Sequence, residues 1–175
     1  MTPSEGPARG APKPILLFLR MCPVWVFVDE VRHFVESFCA CAGVSPERES
    51  QLALATHELM QNAITHSTSA CIELRLAIDA GRDAVEVSLT NDCSPGAPEA
   101  LRSRLAALQA EPPLASYLHT MAADPRARGG LGLARVRYEA QLELDVTTEA
   151  GRLTVKAFGQ LNPPPLAAAT GASHG

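Results

Sequence analysis

Residues 57–66 read HELMQNAITH and form the second half of a predicted amphipathic helix. The helix is expected to begin at Ser45 and Pro46, because serine is a favoured N-cap and proline a favoured first residue. Glu47 and Glu49 follow in the first turn, where acidic side chains suit the positive end of the helix dipole. The helical pattern continues to the end of the quoted segment, so the sequence predicts one long helix here.

Glu58 and Asn62 are the two residues of this helix that could carry chemistry. They are four residues apart, so they lie on one face, at the border between the core and solvent. There a carboxylate and an amide oxygen can point together into a cleft, although two ordinary solvated positions would give the same pattern. The centre of the buried arc is expected to consist of Leu52, Ala55, Leu59 and Ala63.

A glycine-rich turn, GGLGL, occupies residues 129–133 immediately before another predicted helix. Its glycines leave backbone N–H groups free to point at an anion, and the helix N-terminus adds a partial positive charge, which favours phosphate. The turn lacks the Gly-Lys-Ser/Thr ending of a P-loop and the spacing and preceding strand of a dinucleotide-binding fingerprint. Upstream arginines could add charge or be solvated: Arg126 and Arg128. The positions singled out for phosphate contact are Gly129, Gly130, Leu131, Gly132 and Leu133.

The segments around these motifs predict an α/β domain of the α+β type. In order they are a strand at 14–20, helices at 23–43 and 45–66, a hairpin at 70–89, helices at 97–110, 113–123 and 133–140, and a hairpin at 142–157. This order lacks the regular alternation of a parallel doubly wound sheet. We therefore predict a two-layer sandwich with a mixed, mostly antiparallel sheet and helices packed on one face. The domain is assigned to residues 14–160, with disordered tails at 1–13 and 161–175.

Composition excludes several classes of function. The 175 residues are 46% hydrophobic and 19% charged, which excludes a wholly disordered chain. The net charge of -4 argues against a nucleic-acid or membrane-surface partner, and no apolar run is long enough to span a bilayer. Five cysteines without regular spacing indicate buried or free thiols, not a disulfide framework, and a reducing compartment, so we expect a cytoplasmic protein.

Together, the two motifs resemble the N-box and the second glycine box of the GHKL (histidine-kinase-like) ATPases. The nearest branch is the bacterial anti-sigma-factor serine kinases and the SiaB-like kinases of partner-switching systems. The resemblance covers about residues 16–158 in element order and implies the Bergerat fold, with ATP and Mg²⁺ as cofactors. It implies that Asn62 gives its side-chain oxygen to a Mg²⁺ that also holds the ATP phosphates. It also implies that Glu58 is the general base for the attacking hydroxyl or water.

The family's first glycine box, D-x-G-x-G, is altered in this sequence. The alternation of the preceding strand puts its adenine-contacting position at Asn91, with Cys93 and Pro95 at the glycine positions. A match that starts at Asp92 agrees better in letters but points the side chain the wrong way. We therefore assign adenine contact to Asn91, whose amide oxygen can still accept a hydrogen bond from the adenine amino group.

The resemblance implies an ATP-binding regulator that phosphorylates serine or threonine on a small protein partner, such as an anti-sigma antagonist, or that binds a sigma factor. Kinases of this branch commonly form homodimers. Residues 97–123 replace the usual nucleotide lid and could form a fixed surface for the partner or simply two packed helices. Two alternatives remain: a degenerate, non-catalytic binding module that holds a partner, and an ATPase without a protein substrate.

Overall fold

A five-stranded antiparallel sheet forms one layer of the protein. The computed structural model describes residues 13–68, 70–123 and 130–164. The strands are β1 (Ile15–Met21), β2 (Ile72–Asp79), β3 (Ala84–Asp92), β4 (Glu143–Glu149) and β5 (Arg152–Gln160). Their order across the sheet is β1-β2-β3-β5-β4, and each of these four neighbouring pairs is antiparallel. The mixed sheet that we predicted is therefore antiparallel throughout its described strands.

Within the described residues, five helices form the second layer. They are α1 (Phe27–Cys41), α2 (Pro46–His66), α3 (Ala97–Gln109), α4 (Pro113–Ala122) and α5 (Leu131–Tyr138). Alternate residues of β2 are buried beneath them, from Ile72 to Ile78, while Arg75 on the opposite face is exposed. This alternation confirms the predicted two-layer α+β architecture with helices on one face.

Helix α2 lies at the centre of the helical layer, where it contacts α1, α5 and β3. It begins as predicted, since the Ser45 hydroxyl oxygen accepts a hydrogen bond from the backbone N–H of Arg48 at 3.4 Å and Pro46 is the first helical residue. Its predicted buried arc is confirmed, because all four residues are buried: Leu52, Ala55, Leu59 and Ala63.

Several boundaries differ from the sequence predictions. Helix α1 begins at Phe27, four residues later than predicted, because residues 22–24 form a turn closed by a hydrogen bond from Val24 N to Cys22 O. Helix α5 begins at Leu131, two residues earlier than predicted, because Gly130 has a φ of 132° and ends the turn there.

The domain also extends past its predicted end at residue 160. Leu161 is buried and its backbone N–H donates to Asp83 O at 3.0 Å. The side-chain amide of Asn162 donates to the Asp83 carboxylate at 2.7 Å. Both residues were assigned to the C-terminal tail, but these contacts join them to the turn between β2 and β3. Residues 1–12 and 165–175 of the predicted tails lie outside the described part of the chain.

All five cysteines lie in the described ranges, and Cys22, Cys39, Cys41 and Cys93 carry free thiols. Cys39 is fully buried on α1, and this burial raises the pKa of its thiol to about 12. Every helix in the described ranges is too short or too polar to cross a membrane.

Candidate functional site

A hollow opens between α2, α3 and the inner face of the sheet, and we call it the α2–α3 hollow. Its volume is about 650 Å³ when its open mouth is included. Its apolar lining consists of Leu59, Ala63, Leu89, Ala97, Ala100, Leu101, Leu153 and Val155. Its polar lining consists of Asn62, His66, Asn91 and Arg104. A concave apolar surface with a few polar groups is typical of a site for a small molecule.

Asn91 lines the α2–α3 hollow from the end of β3 and is only 2% exposed. Its amide nitrogen donates to the carbonyl oxygen of Asp92 at 2.9 Å, and within the described ranges no donor is bonded to its side-chain oxygen. The Asp92 side chain is exposed and lies 3.6 Å from the guanidinium of Arg152. Strand alternation thus directs Asn91, and not Asp92, toward the inner face of the sheet.

Asn62 and His66 line the α2–α3 hollow from α2, one helical turn apart. Asn62 is half-buried, so its side-chain amide can contact a ligand without leaving packed neighbours in the core. We assigned no role to His66 from the sequence. Its spacing of four residues from Asn62 was the signal that could have placed both side chains on one face.

Arg104 also lines the α2–α3 hollow, and sequence reasoning missed it. Its Cδ atom lies 3.7 Å from the position that a Cβ would occupy at Gly130. This side chain therefore joins the hollow to the glycine-rich turn. The available signal was a single charged residue three positions after Leu101, on a helix face that is otherwise apolar.

The glycine-rich turn forms the N-terminus of α5. Gly130 is the N-cap, and the first intrahelical hydrogen bond runs from Ala134 N to Gly130 O at 2.9 Å. The backbone N–H groups of the first three helical residues precede that bond and provide the positive end of the helix. Leu131 is exposed, whereas Leu133 is buried in the core. Gly129, Arg126 and Arg128 lie outside the described residues.

Glu58 occupies a different place from the one we predicted. It is 7% exposed and does not line the α2–α3 hollow; its carboxylate instead accepts a hydrogen bond from Arg135 Nη1 at 2.5 Å. A Cβ at Gly132 would overlap Glu58 Oε2 and lie 3.3 Å from Glu58 Cδ. The structure therefore does not bring Glu58 and Asn62 into one cleft, because α5 holds the carboxylate.

Arg135 has a second carboxylate partner. Its Nε and Nη2 atoms donate to the two oxygens of Glu139, both at 3.1 Å. These hydrogen bonds raise the pKa of the Arg135 guanidinium and lower the pKa of the Glu139 carboxyl. If Glu58 moved away, Arg135 would still be paired with Glu139. The ion pair between Glu58 and Arg135 can therefore break without leaving the guanidinium unpaired.

Gly132→Ala is expected to destabilise the protein by about 2 kcal/mol, because the new methyl group displaces a buried, ion-paired carboxylate. Urea unfolding measures this cost. In a Glu58→Ala background the methyl group has space, and alanine is the better helix former by about 1 kcal/mol. The same substitution should then be neutral or stabilising. An equal loss in both backgrounds would contradict a direct contact between Glu58 and Gly132.

Asn62 provides a side-chain amide oxygen at the α2–α3 hollow, and amide oxygens are among the ligands that Mg²⁺ accepts. The described residues contain no group of three or more His, Cys, Asp or Glu side chains able to hold a metal ion by themselves. Mg²⁺ commonly takes few protein oxygens and completes its shell with phosphate oxygens and water. This single amide oxygen fits a magnesium ion whose other ligands come from phosphate and water.

A family model described as "Histidine kinase-like ATPase domain" matches residues 27–155. The chain belongs to this family. The SiaB–SiaC complex from Pseudomonas aeruginosa has a TM-score of 0.66 at 15% identity, covering 81% of this chain and 88% of that chain. The RsbU and RsbW domains of a Mycobacterium tuberculosis protein have a TM-score of 0.52 at 17% identity, covering 86% and 33%. No protein of curated function matches the sequence. The expected histidine kinase-like fold is thereby confirmed.

Proposed function

We propose that this chain is an ATP-binding regulator of the anti-sigma or partner-switch type, and that it transfers the γ-phosphoryl group to serine or threonine on a small protein partner. The observation that carries the proposal is the α2–α3 hollow, which brings Asn62, Asn91 and Arg104 together beside the N-terminus of α5. Family membership supports ATP binding. A protein partner is supported by the SiaB structure, which is a complex with SiaC.

The α2–α3 hollow suits a nucleotide whose base lies deep and whose phosphates lie toward α5. Leu89 and Val155 provide apolar surface for an adenine ring, and the side-chain oxygen of Asn91 accepts from its amino group. Asn62 would hold the Mg²⁺, which would neutralise part of the phosphate charge. The backbone N–H groups that follow Gly130 would donate hydrogen bonds to the phosphate oxygens.

Glu58 serves as the general base in this proposal. The acceptor hydroxyl oxygen bonds to the γ-phosphorus, the bond from that phosphorus to the ADP oxygen breaks, and the hydroxyl proton moves to the Glu58 carboxylate. Glu58 must first leave Arg135, which remains paired with Glu139.

The partner surface is assigned to the fixed helices that replace the lid. Helix α4 exposes three apolar side chains at helical spacing: Leu114, Leu118 and Met121.

A separate apolar group at β1 and the start of α1 suits the homodimer that the resemblance implies: Leu16, Phe18, Trp25 and Val26. We extend the proposal to a cytoplasmic location, because the five cysteines lack the regular spacing of a disulfide framework and suit a reducing compartment.

Calorimetric titration with MgATP tests nucleotide binding. Asn62→Ala is expected to weaken MgATP about tenfold, because a hydrogen bond or ligand to a charged group is lost, while binding of ATP in EDTA changes little. Gln61→Ala is the matched control, since Gln61 neighbours Asn62 but bonds to His57 and does not line the α2–α3 hollow. Absence of heat from the wild-type protein at millimolar MgATP would exclude both ATP binding and the kinase function.

A non-catalytic binding module is the second candidate function. It is favoured by the ion pair that holds Glu58 outside the α2–α3 hollow and by Cys93 and Pro95 at two expected glycine positions. Transfer of label from γ-³²P ATP to a co-purified partner separates the two candidates. Labelled partner supports the kinase; a stable complex that binds MgATP but never becomes labelled supports the binding module.

A further inference from the structure

We infer that Arg104 on α3 binds the terminal phosphates of the nucleotide and gives the α2–α3 hollow its preference for a triphosphate over the bare nucleoside. The inference rests on the proposed function and adds a fixed cation to the site. The cation comes from α3, a helix that is already packed in the domain. A cation on a mobile lid would reach the phosphates only after the lid had closed.

The placement of Arg104 follows from the face that α3 turns toward the sheet. Ala97, Ala100 and Leu101 line the α2–α3 hollow, and Arg104 continues the same face by one turn. The next turn anchors the helix, because Leu105 and Leu108 are buried in the core. The Arg104 backbone is therefore held in position before any ligand arrives, which reduces the entropy lost on binding.

Arg104 is free to bind an anion. In the described residues its guanidinium has no ion pair and no hydrogen bond, whereas neighbouring Arg102 donates to Glu99 at 3.0 Å and to Thr148 at 2.8 Å. The side chain lies against Gly130, the N-cap of α5, so a cation and the positive end of a helix dipole meet there. The negative charge of a phosphate chain would offset the repulsion between these two positive groups. Its oxygens would also accept bidentate hydrogen bonds from the guanidinium.

Arg104→Met tests the inference, with Arg102→Met on the same helix as the matched control. Calorimetry is performed with ATP, ADP and adenosine. Arg104→Met is expected to weaken ATP by about 10-fold to 100-fold, the effect of losing hydrogen bonds to a charged group, and to leave adenosine within about twofold. Arg104→Lys should recover part of the loss, and Arg102→Met should bind all three ligands as the wild type does.

The salt dependence of ATP affinity provides a second measurement, because removing one phosphate contact makes the dependence less steep. Unchanged ATP affinity in Arg104→Met would overturn the inference while leaving the proposed function intact. Equal weakening of ATP and adenosine would also overturn it, since Arg104 would then shape the α2–α3 hollow without contacting phosphate. Failure of the wild-type protein to bind any nucleotide would instead exclude the proposed function itself.

Discussion

Glu58→Gln is expected to lower phosphoryl transfer to the partner by about 10²-fold to 10⁴-fold, the usual contribution of a general base. Glutamine matches glutamate in shape, so it fits beside Gly132, and its amide oxygen can still accept a hydrogen bond from Arg135. It cannot take the proton of the attacking hydroxyl. Initial rates of label transfer from γ-³²P ATP measure the loss, and calorimetry should find MgATP affinity unchanged within about twofold.

Glu86→Gln is the matched control for this prediction. It is the same substitution on the sheet face that the helices do not cover, where Glu86 lies 3.8 Å from Arg75, so transfer should stay within about threefold of the wild-type rate. If Glu58→Gln transfers phosphate as fast as the wild type, the carboxylate is a structural partner of α5 and the base lies elsewhere. If the wild type itself transfers nothing, the non-catalytic module is the correct function.

The parts of the site that could be predicted depend on local periodicity. Helix α2 has its N-cap, its first-turn proline and a regular apolar arc within one continuous segment, so its boundaries and its buried face followed from the sequence. The inward direction of Asn91 followed from strand alternation, which is a local property of the chain and does not depend on distant residues. For the same reason the sequence correctly separated Asn91 from the exposed Asp92.

The contacts that the sequence could not provide join distant segments. Glu58 and Arg135 are 77 residues apart in the chain, and nothing around either residue indicates that their side chains meet. The two motifs were expected to meet through a nucleotide, yet Glu58 and Gly132 pack directly on each other. Leu161 and Asn162 were assigned to a tail because prolines follow them, while their contact with Asp83 is a tertiary feature.

Arg48 makes further long-range contacts, which join α2 to the segment after α5 and to the end of β5. It is 1% exposed, and its guanidinium donates to the side-chain oxygen of Gln51 at 2.8 Å and to the carbonyl oxygens of Ala140 at 2.6 Å and Gln160 at 2.5 Å. Burial disfavours the charged form and lowers the pKa of Arg48 to about 10. In the described residues no carboxylate forms an ion pair with it, so carbonyl oxygens just beyond the C-terminus of α5 and at the end of β5 stabilise the charge.

Arg48→Met is expected to reduce the free energy of unfolding by about 3 kcal/mol, because buried carbonyl oxygens lose their donor. Urea unfolding measures the change, and Arg48→Lys, which keeps the charge and a donor, should lose about half as much. A second hollow, of about 430 Å³ when its open mouth is included, borders Arg48 and includes Ser45, Gln51 and Gln141. A cost below about 1 kcal/mol would mean that water from this hollow replaces the guanidinium.

The same variant links stability to the proposed site. Arg48 holds the segment that follows α5, and the opposite end of this eight-residue helix begins at Gly130 beside Arg104. If Arg48 fixes α5, then Arg48→Met should also weaken MgATP at a temperature where the protein remains folded, whereas adenosine should be affected less. Unchanged MgATP affinity in a clearly destabilised Arg48→Met protein would show that contacts of α5 with α2 and α4 suffice to position the glycine-rich turn.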